Sequence, residues 1–241
     1  MLMCDALLQV WDFDSGRRLK MENNELYTAS FLMSDGEHVI LSRRETNAGG
    51  ASSIVIVVWD ILGNQPERRI SYSLENVPTD HVTYISQTPD KRFVVAGFKS
   101  PSSGNATYLA FDLTVSNFDV VPPTVIELAA EVQVTTVLEN HEAVTGTKAG
   151  ALVVWSLRTG KQHRQLVAPS TEVTGGRAHQ AEVRDLVVSK DGVYLISASA
   201  DSTLRLWNLE SSKHVRTFTG HTDMVNAQGD NFSSSVFFIL I

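Results

Sequence analysis

The stretch HQAEVRDLVVSKDGVYLISASADSTLRLWNLESSKHVRTFTG, residues 179–220, decides the fold. Short runs of apolar and β-branched residues alternate in it with turn residues, about every eight to twelve positions. The turn SKDG ends in Gly192, which is free to adopt a positive φ angle. This pattern predicts four short antiparallel strands, at 183–188, 193–199, 203–208 and 214–219.

An aromatic residue closes an apolar run at five places along the chain, spaced 44 to 52 residues apart. These residues are Trp11, Trp59, Phe111, Trp155 and Trp207. No stretch of the sequence has a helical hydrophobic period strong enough to predict a helix. A lone four-stranded sheet of this size cannot bury both faces, so we expect the repeated units to stack radially. The predicted fold class is all-β, a β-propeller of four-stranded antiparallel blades.

The repeated unit resembles the WD40 repeat, whose period is roughly 40–45 residues per blade. Four residues match the structural tetrad of that family: His179, Ser197, Asp201 and Trp207. The resemblance implies a hydrogen-bonded chain from the indole N–H through Ser and His to Asp, which satisfies buried polar groups. The preceding copy has Ala149 at the Asp position, and the copy before that has Phe111 at the Trp position. Only residues 179–220 are therefore expected to carry the full tetrad.

The repeat sets the expected domain organisation, which is one WD40-type propeller or a fragment of one over residues 1–241. The predicted units are a partial blade at 1–24, blades at about 25–78, 79–130, 131–178 and 179–220, and a partial blade at 221–241. We expect an incomplete array of about five blades, with further WD repeats in a parent protein. An alternative is a small ring in which 236–241 pairs with 6–12. The irregular repeats also resemble, weakly, the C-terminal WD arrays of large NACHT-and-WD-repeat proteins.

Composition and charge exclude several classes of protein. Twenty basic and twenty-seven acidic residues give a formal charge of -7, which argues against a general nucleic-acid binder. The single cysteine, Cys4, cannot form an intrachain disulfide. The N-terminal stretch lacks the features of a secretory signal, and the apolar stretch 236–241 is too short to cross a bilayer. We expect a cytoplasmic protein with no membrane or nucleic-acid partner.

A His, a Ser and an Asp within one repeat raise the possibility of a catalytic triad. The same residues occupy the tetrad positions, and the sequence has no G-x-S-x-G nucleophile turn. The seven histidines lack the spacing of a metal site. We therefore predict a protein that is not an enzyme and has no cofactor or metal. A propeller-based enzyme, with ionisable groups converging from several blades, is the less favoured alternative.

Long connections indicate where partners bind. The connections 43–53, 99–107 and 168–178 are longer than their counterparts, and blade topology would bring all three to one end of the propeller. Loops on a rigid scaffold are common recognition sites, although tolerated, solvated insertions explain the same lengths equally well. The resemblance points to a non-catalytic scaffold or adaptor that binds proteins at this rim. The candidate contact residues are Arg43, Arg44, Lys99, Lys148, Glu182 and Arg184.

A second candidate function comes from a short motif after the third strand of one copy. Some WD40 substrate receptors of cullin-type ubiquitin ligases carry W-D-x-R there. Residues 155–158, Trp-Ser-Leu-Arg, keep the Trp and the Arg but lack the Asp. The alternative function is therefore a substrate receptor of such a ligase, with Arg158 contacting the adaptor.

Overall fold

The structure is a computed structural model that describes residues 7–11, 18–23, 29–32, 38–46, 50, 52–60, 68–73, 82–99, 104–115 and 121–220. The regular elements of these residues are seventeen β-strands, and none of the described residues is helical. The predicted all-β fold with four-stranded antiparallel sheets is confirmed. The predicted partial blade at 221–241 and the alternative pairing of 236–241 lie outside the described residues.

The chain divides into two compact units. Unit 1 comprises Met1–Gln87, Lys91–Pro101 and Thr107–Pro123, and unit 2 comprises Thr88–Asp90, Ser102–Ala106 and Thr124–Ile241. The strands of unit 1 are β1 (Leu7–Trp11), β2 (Arg18–Asn23), β3 (Ala29–Leu32), β4 (His38–Thr46), β5 (Ser52–Asp60), β6 (Arg68–Ser73), β7 (Val82–Gln87), β8 (Phe93–Lys99) and β9 (Asn105–Asp112). The first two residues of β9 belong to unit 2. Strands β1 and β2 pair with each other, β3 to β6 form a four-stranded sheet, and β7, β8 and β9 are neighbours in that order.

Strands β4 and β5 form a hairpin that is longer than the sequence predicts. Their pairing runs without interruption from His38 opposite Asp60 to Thr46 opposite Ser52. Within the segment 43–53, expected as an elongated loop, residues 43–46 and 52–53 are therefore strand. The apolar residues that follow in β5, Ile54 to Val57, are all buried.

The strands of unit 2 form two runs of four, each in sequence order. The first run is β10 (Thr124–Val137), β11 (Glu142–Thr147), β12 (Leu152–Ser156) and β13 (Gln162–Leu166). The second is β14 (Val183–Val188), β15 (Tyr194–Ser199), β16 (Leu204–Asn208) and β17 (Lys213–Phe218). The four strands predicted for residues 179–220 are thus confirmed, with ends shifted by at most one residue. The predicted turn at Gly192 is also present, with a φ angle of 71°.

The two runs of unit 2 pack closely on each other. Trp155 and Trp207 are fully buried, and Trp207 lies in a core with Val144, Val154 and Leu195. A Cβ atom at Gly146 would lie 2.5 Å from a methyl group of Val183. The side chain of Val183 in β14 therefore packs directly on the backbone of β11. Glycine at 146 permits this approach, which no larger residue would allow without displacement.

A chain of hydrogen bonds crosses the sheet β14–β17 beneath Trp207. The indole Nε1–H of Trp207 donates to Ser197 Oγ at 2.8 Å, and Ser197 Oγ lies 2.7 Å from His179 Nε2. His179 Nδ1 lies 3.0 Å from Asp201 Oδ2. An ionised carboxylate only accepts, so Nδ1 carries the proton that it donates to Asp201. Neutral His179 then accepts at Nε2 the hydrogen bond that the Ser197 hydroxyl donates.

The environment fixes the charge states in this chain. Burial lowers the pKa of His179 below its ordinary value, and the Asp201 carboxylate opposes this shift only in part. Burial acts to raise the pKa of Asp201, but hydrogen bonds from His179 and Thr203 outweigh it and hold that pKa well below the usual range. The backbone N–H of Gln180 donates to the same carboxylate at 3.0 Å. A neutral imidazole beside an ionised Asp is thus the stable arrangement near neutral pH.

Truncating the indole should destabilise the chain more than removing the carboxylate. We expect Trp207→Ala to lower the free energy of unfolding by about 3–5 kcal/mol, because it leaves a cavity in the core. Asp201→Ala should cost about 1–3 kcal/mol, because it leaves buried donors unpaired. Denaturant titration measures both, with exposed Arg216→Ala as a control expected within about 0.5 kcal/mol of wild type. A wild-type midpoint for Trp207→Ala would contradict the role given to the indole.

Acidification should destabilise the fold through His179. Its folded-state pKa is lowered, so the unfolded chain binds the proton first as the pH falls below about 6.5. The stability is fully present above that pH and is lost as the pH falls toward the folded-state pKa. Thermal unfolding between pH 7.5 and 5 should show a shallower slope in His179→Gln than in wild type. His214 has a lowered pKa as well, so His214→Gln measures its share; an unchanged slope in His179→Gln would refute the assignment.

Candidate functional site

The His, Ser and Asp of the tetrad are not placed for catalysis. His179 and Ser197 are fully buried, and Ser197 Oγ already accepts the hydrogen bond of Trp207. A nucleophile must be reached by a substrate and its base, and this hydroxyl is enclosed beneath the indole. Within the described residues, no group of three or more His, Cys, Asp or Glu side chains could hold a metal ion. The same part of the chain contains no helix long and apolar enough to span a membrane.

One end of the unit 2 sheets presents a turn that is fixed to the neighbouring sheet. The turn between β11 and β12 includes Gly150, whose carbonyl accepts the N–H groups of Ala178 at 3.1 Å and His179 at 2.9 Å. A Cβ atom at Gly150 would lie 2.4 Å from the carbonyl oxygen of His179, and the φ angle of 82° also favours glycine. These contacts hold the turn against the residues that lead into β14. The surface at this end is therefore preformed.

The connection 168–178 contains no strand, as expected of a long connection, but side chains anchor it to the sheet β14–β17. Glu172 Oε2 accepts hydrogen bonds from Arg205 Nη1 at 2.8 Å and from Thr217 Oγ1 at 2.6 Å. The Thr217 hydrogen bond and the positive charge of Arg205 hold the pKa of Glu172 below its usual range, so the pair stays charged. Arg177 Nη1 donates to the carbonyl of Ala149 at 2.9 Å. The connection is a fixed part of the surface.

Three of the six predicted contact residues lie at this end of unit 2. Lys148, whose side chain is 57% exposed, pairs with Glu131 at 3.1 Å. Arg184 pairs with Glu182 at 3.1 Å at the start of β14. We call the surface formed by Lys148, Glu182 and Arg184 the charged rim. Surface ion pairs of this kind contribute little to stability, so these charges are available for recognition.

The other three predicted contact residues belong to unit 1. Arg43 lies inside β4, is only 8% exposed and forms an ion pair with Glu45. The expectation that it lies on an exposed loop is wrong, because the strand continues through this position. Lys99 is the last residue of β8 and is half-buried, whereas the side chain of Arg44 lies outside what the structure describes.

At the opposite strand ends of unit 2, a buried carboxylate holds the arginine that contacts the neighbouring sheet. Glu142 accepts hydrogen bonds from Arg164 Nη1 at 2.6 Å and Nη2 at 2.8 Å, and from Asn140 at 2.8 Å. Burial acts to raise the pKa of Glu142, but the bonds from Arg164, His163 and Asn140 lower it overall. Arg164 Nη2 also donates to the carbonyl of Leu209 at 3.2 Å, which links β13 to the end of β16. No motif in the sequence marks this link.

A cavity of about 420 Å³ lies beside this link. Its walls come from the turns at 138–140, 191–193 and 209–212, together with Arg164. Strand β11 separates the turn at 138–140 from the turn that carries Lys148, so the cavity and the charged rim lie at opposite ends of the strands. The cavity is the second surface in unit 2 that could contact another molecule.

Arg158, the candidate residue for a ligase adaptor, is exposed after β12. Its Nη2 lies 3.4 Å from His141 Nδ1, and its backbone N–H donates to Ser156 Oγ at 3.3 Å. Ser156 occupies the position where the motif has Asp, and its hydroxyl accepts a backbone hydrogen bond of the turn. This geometry is that of an ordinary turn and does not by itself favour the receptor function.

Comparison with known proteins gives the following matches. The family model "WD domain, G-beta repeat" matches residues 171–208. "Small ribosomal subunit protein RACK1" of Candida albicans is 37% identical over 75 residues, which are 31% of this chain and 22% of that protein. "U3 small nucleolar RNA-interacting protein 2" of Mus musculus is 30% identical over 83 residues, 34% of this chain and 18% of that protein. "Eukaryotic translation initiation factor 3 subunit I" of Drosophila ananassae is 24% identical over 186 residues, 70% of this chain and 49% of that protein.

The matched family segment contains all four tetrad residues and the first three strands of the sheet β14–β17. The chain spans between about a fifth and a half of the length of these relatives. Its antiparallel four-stranded sheets are consistent with incomplete blades of a WD40 β-propeller. Residues 171–208 thus match a WD40 repeat in sequence and carry the hydrogen-bonded tetrad geometry described above.

Proposed function

We propose that the chain is a non-catalytic scaffold or adaptor module that binds other proteins through the charged rim of unit 2. The observation that carries the proposal is the preformed surface at this end, where backbone hydrogen bonds from Ala178 and His179 to Gly150 fix the turn of Lys148. A surface that is already ordered loses little conformational entropy on binding. Exposed Lys148 and Arg184 lie on this frame beside half-buried Glu131 and Glu182, which suits a partner of matching mixed charge.

The relatives support a role in assemblies. Their names describe a small ribosomal subunit protein, an RNA-interacting protein and a subunit of an initiation factor, and none of the three names is that of an enzyme. The complete burial of His179 and Ser197 agrees with a non-catalytic role. Partners are therefore expected to be other proteins of a larger complex.

Nucleic acid is a second class of partner that the experiment must address. One relative is named as an RNA-interacting protein, so a formal charge of -7 does not exclude contact with RNA in a complex. A cytoplasmic location and a parent of the NACHT-and-WD-repeat type stay predictions.

Charge reversal at the rim should weaken partner binding without unfolding the chain. Lys148→Glu combined with Arg184→Glu places like charges beside Glu131 and Glu182, which should repel a partner built for the native pattern. Crosslinking and affinity capture with quantitative mass spectrometry should show a set of proteins depleted at least about fivefold, the scale of a loss near 1 kcal/mol. Melting temperatures should stay within the small range expected for exposed substitutions.

The matched control reverses one lysine and one arginine elsewhere on unit 2, Lys161→Glu with Arg216→Glu, both exposed. It should capture the same proteins as wild type. Parallel samples treated with ribonuclease separate contacts that require RNA from direct protein contacts. Capture of the full set by the rim variant would refute the proposal, and loss of the whole set after ribonuclease treatment would assign the contacts to RNA.

A further inference from the structure

The cavity beside Arg164 has an apolar floor. Leu138 and Leu209 are each 4% exposed, and Val193 is half-buried beside them. The two leucines come from different runs of strands, so the floor spans the junction between β10–β13 and β14–β17. A floor of this kind suits the methylene stem of a long side chain.

Three carboxylates line the same cavity at its open side: Glu139, Asp191 and Glu210, all exposed. In the described part of the chain, Glu139 and Glu210 form no hydrogen bond or ion pair. Asp191 accepts bonds from Ser189 and Val193, and both fall on Oδ1. The negative charge at the mouth is therefore largely uncompensated by the protein.

Arg164 is a cation in the lining of the cavity, but its charge is already paired with the carboxylate of Glu142. Both terminal nitrogens bind Glu142, and one also donates to the Leu209 carbonyl. The Arg164–Glu142 pair contributes no net charge to the cavity. The same bonds tie the two walls together, so the cavity keeps its shape before anything binds, which lowers the entropic cost of binding.

The size leaves room for a long side chain as the occupant. At about 420 Å³ the cavity is near the lower end of the range for small-molecule sites, roughly 300–1,000 Å³. An apolar floor with acidic groups around the mouth is complementary to an aliphatic stem that ends in a positive charge.

We propose that this cavity accepts a lysine or arginine side chain from a basic segment of a partner protein. The stem lies on Leu138, Val193 and Leu209, and the cationic head reaches the carboxylates of Glu139, Asp191 and Glu210. The site goes beyond the proposed function, because it lies at the strand ends opposite the charged rim. The two proposals can be tested separately, since each surface has its own variant.

The test is fluorescence anisotropy of the full chain with a fluorescein-labelled peptide in which lysine and arginine alternate with glycine. Glu139→Gln combined with Glu210→Gln removes two charges with little change in shape. We expect this variant to bind the peptide about fivefold to tenfold more weakly than wild type, as expected for two lost exposed charge contacts. A matching peptide with norleucine in place of the basic residues should not bind.

The matched control removes an exposed carboxylate away from the cavity, Glu127→Gln, and should bind like wild type, whereas Glu139→Gln and Glu210→Gln, each with the same loss of charge, should bind more weakly. Melting temperatures check that all variants are folded. An equal loss in the control would show a general charge effect and overturn the proposal. Wild-type affinity in Glu139→Gln/Glu210→Gln, or no binding of the basic peptide to wild type, would overturn it as well. The charged-rim variant should bind this peptide normally even where it fails to capture proteins.

Discussion

The hydrogen-bonded chain Trp207–Ser197–His179–Asp201 is the interaction on which the rest of unit 2 depends. It buries an indole and an imidazole without leaving an orphaned donor among these four side chains, because each N–H and O–H meets an acceptor. The chain also fixes the backbone at His179, and that backbone N–H binds the turn at Gly150. A stabilising contact inside one sheet therefore determines the shape of a surface on its neighbour. The charged rim is a consequence of core chemistry.

The preceding run of strands reaches stability by other means. It has Ala149 where the tetrad has Asp, and this turn is held by backbone contacts at Gly150 and by Arg177. At the other strand ends, Arg164 binds a buried carboxylate and reaches across to the next sheet. Neighbouring repeats are thus joined at both ends by different interactions, one through glycine and one through arginine. A degraded repeat remains well packed because the contacts between sheets replace those within it.

The sequence predicts the strands and the tetrad well because both have local signatures. Alternating apolar residues and the turn at Gly192 lie within a few positions of each other, and the tetrad follows a family pattern. Arg43 was placed on a loop because repeat length alone does not distinguish a longer loop from a longer hairpin. The Glu142–Arg164 contact joins residues 22 positions apart with no motif between them, so only the folded chain reveals it. The cavity is formed by three separate turns, so the spacing of residues in the sequence does not predict it.

The acceptor that Arg164 reaches on the neighbouring sheet is a main-chain carbonyl, that of Leu209. Every amino acid carries such a group, so this hydrogen bond does not require a particular side chain at position 209. Mutations in the receiving repeat can accumulate while the hydrogen bond persists, provided that the backbone keeps its path. At this bond, the requirement for a particular side chain falls on Arg164 in the donor repeat.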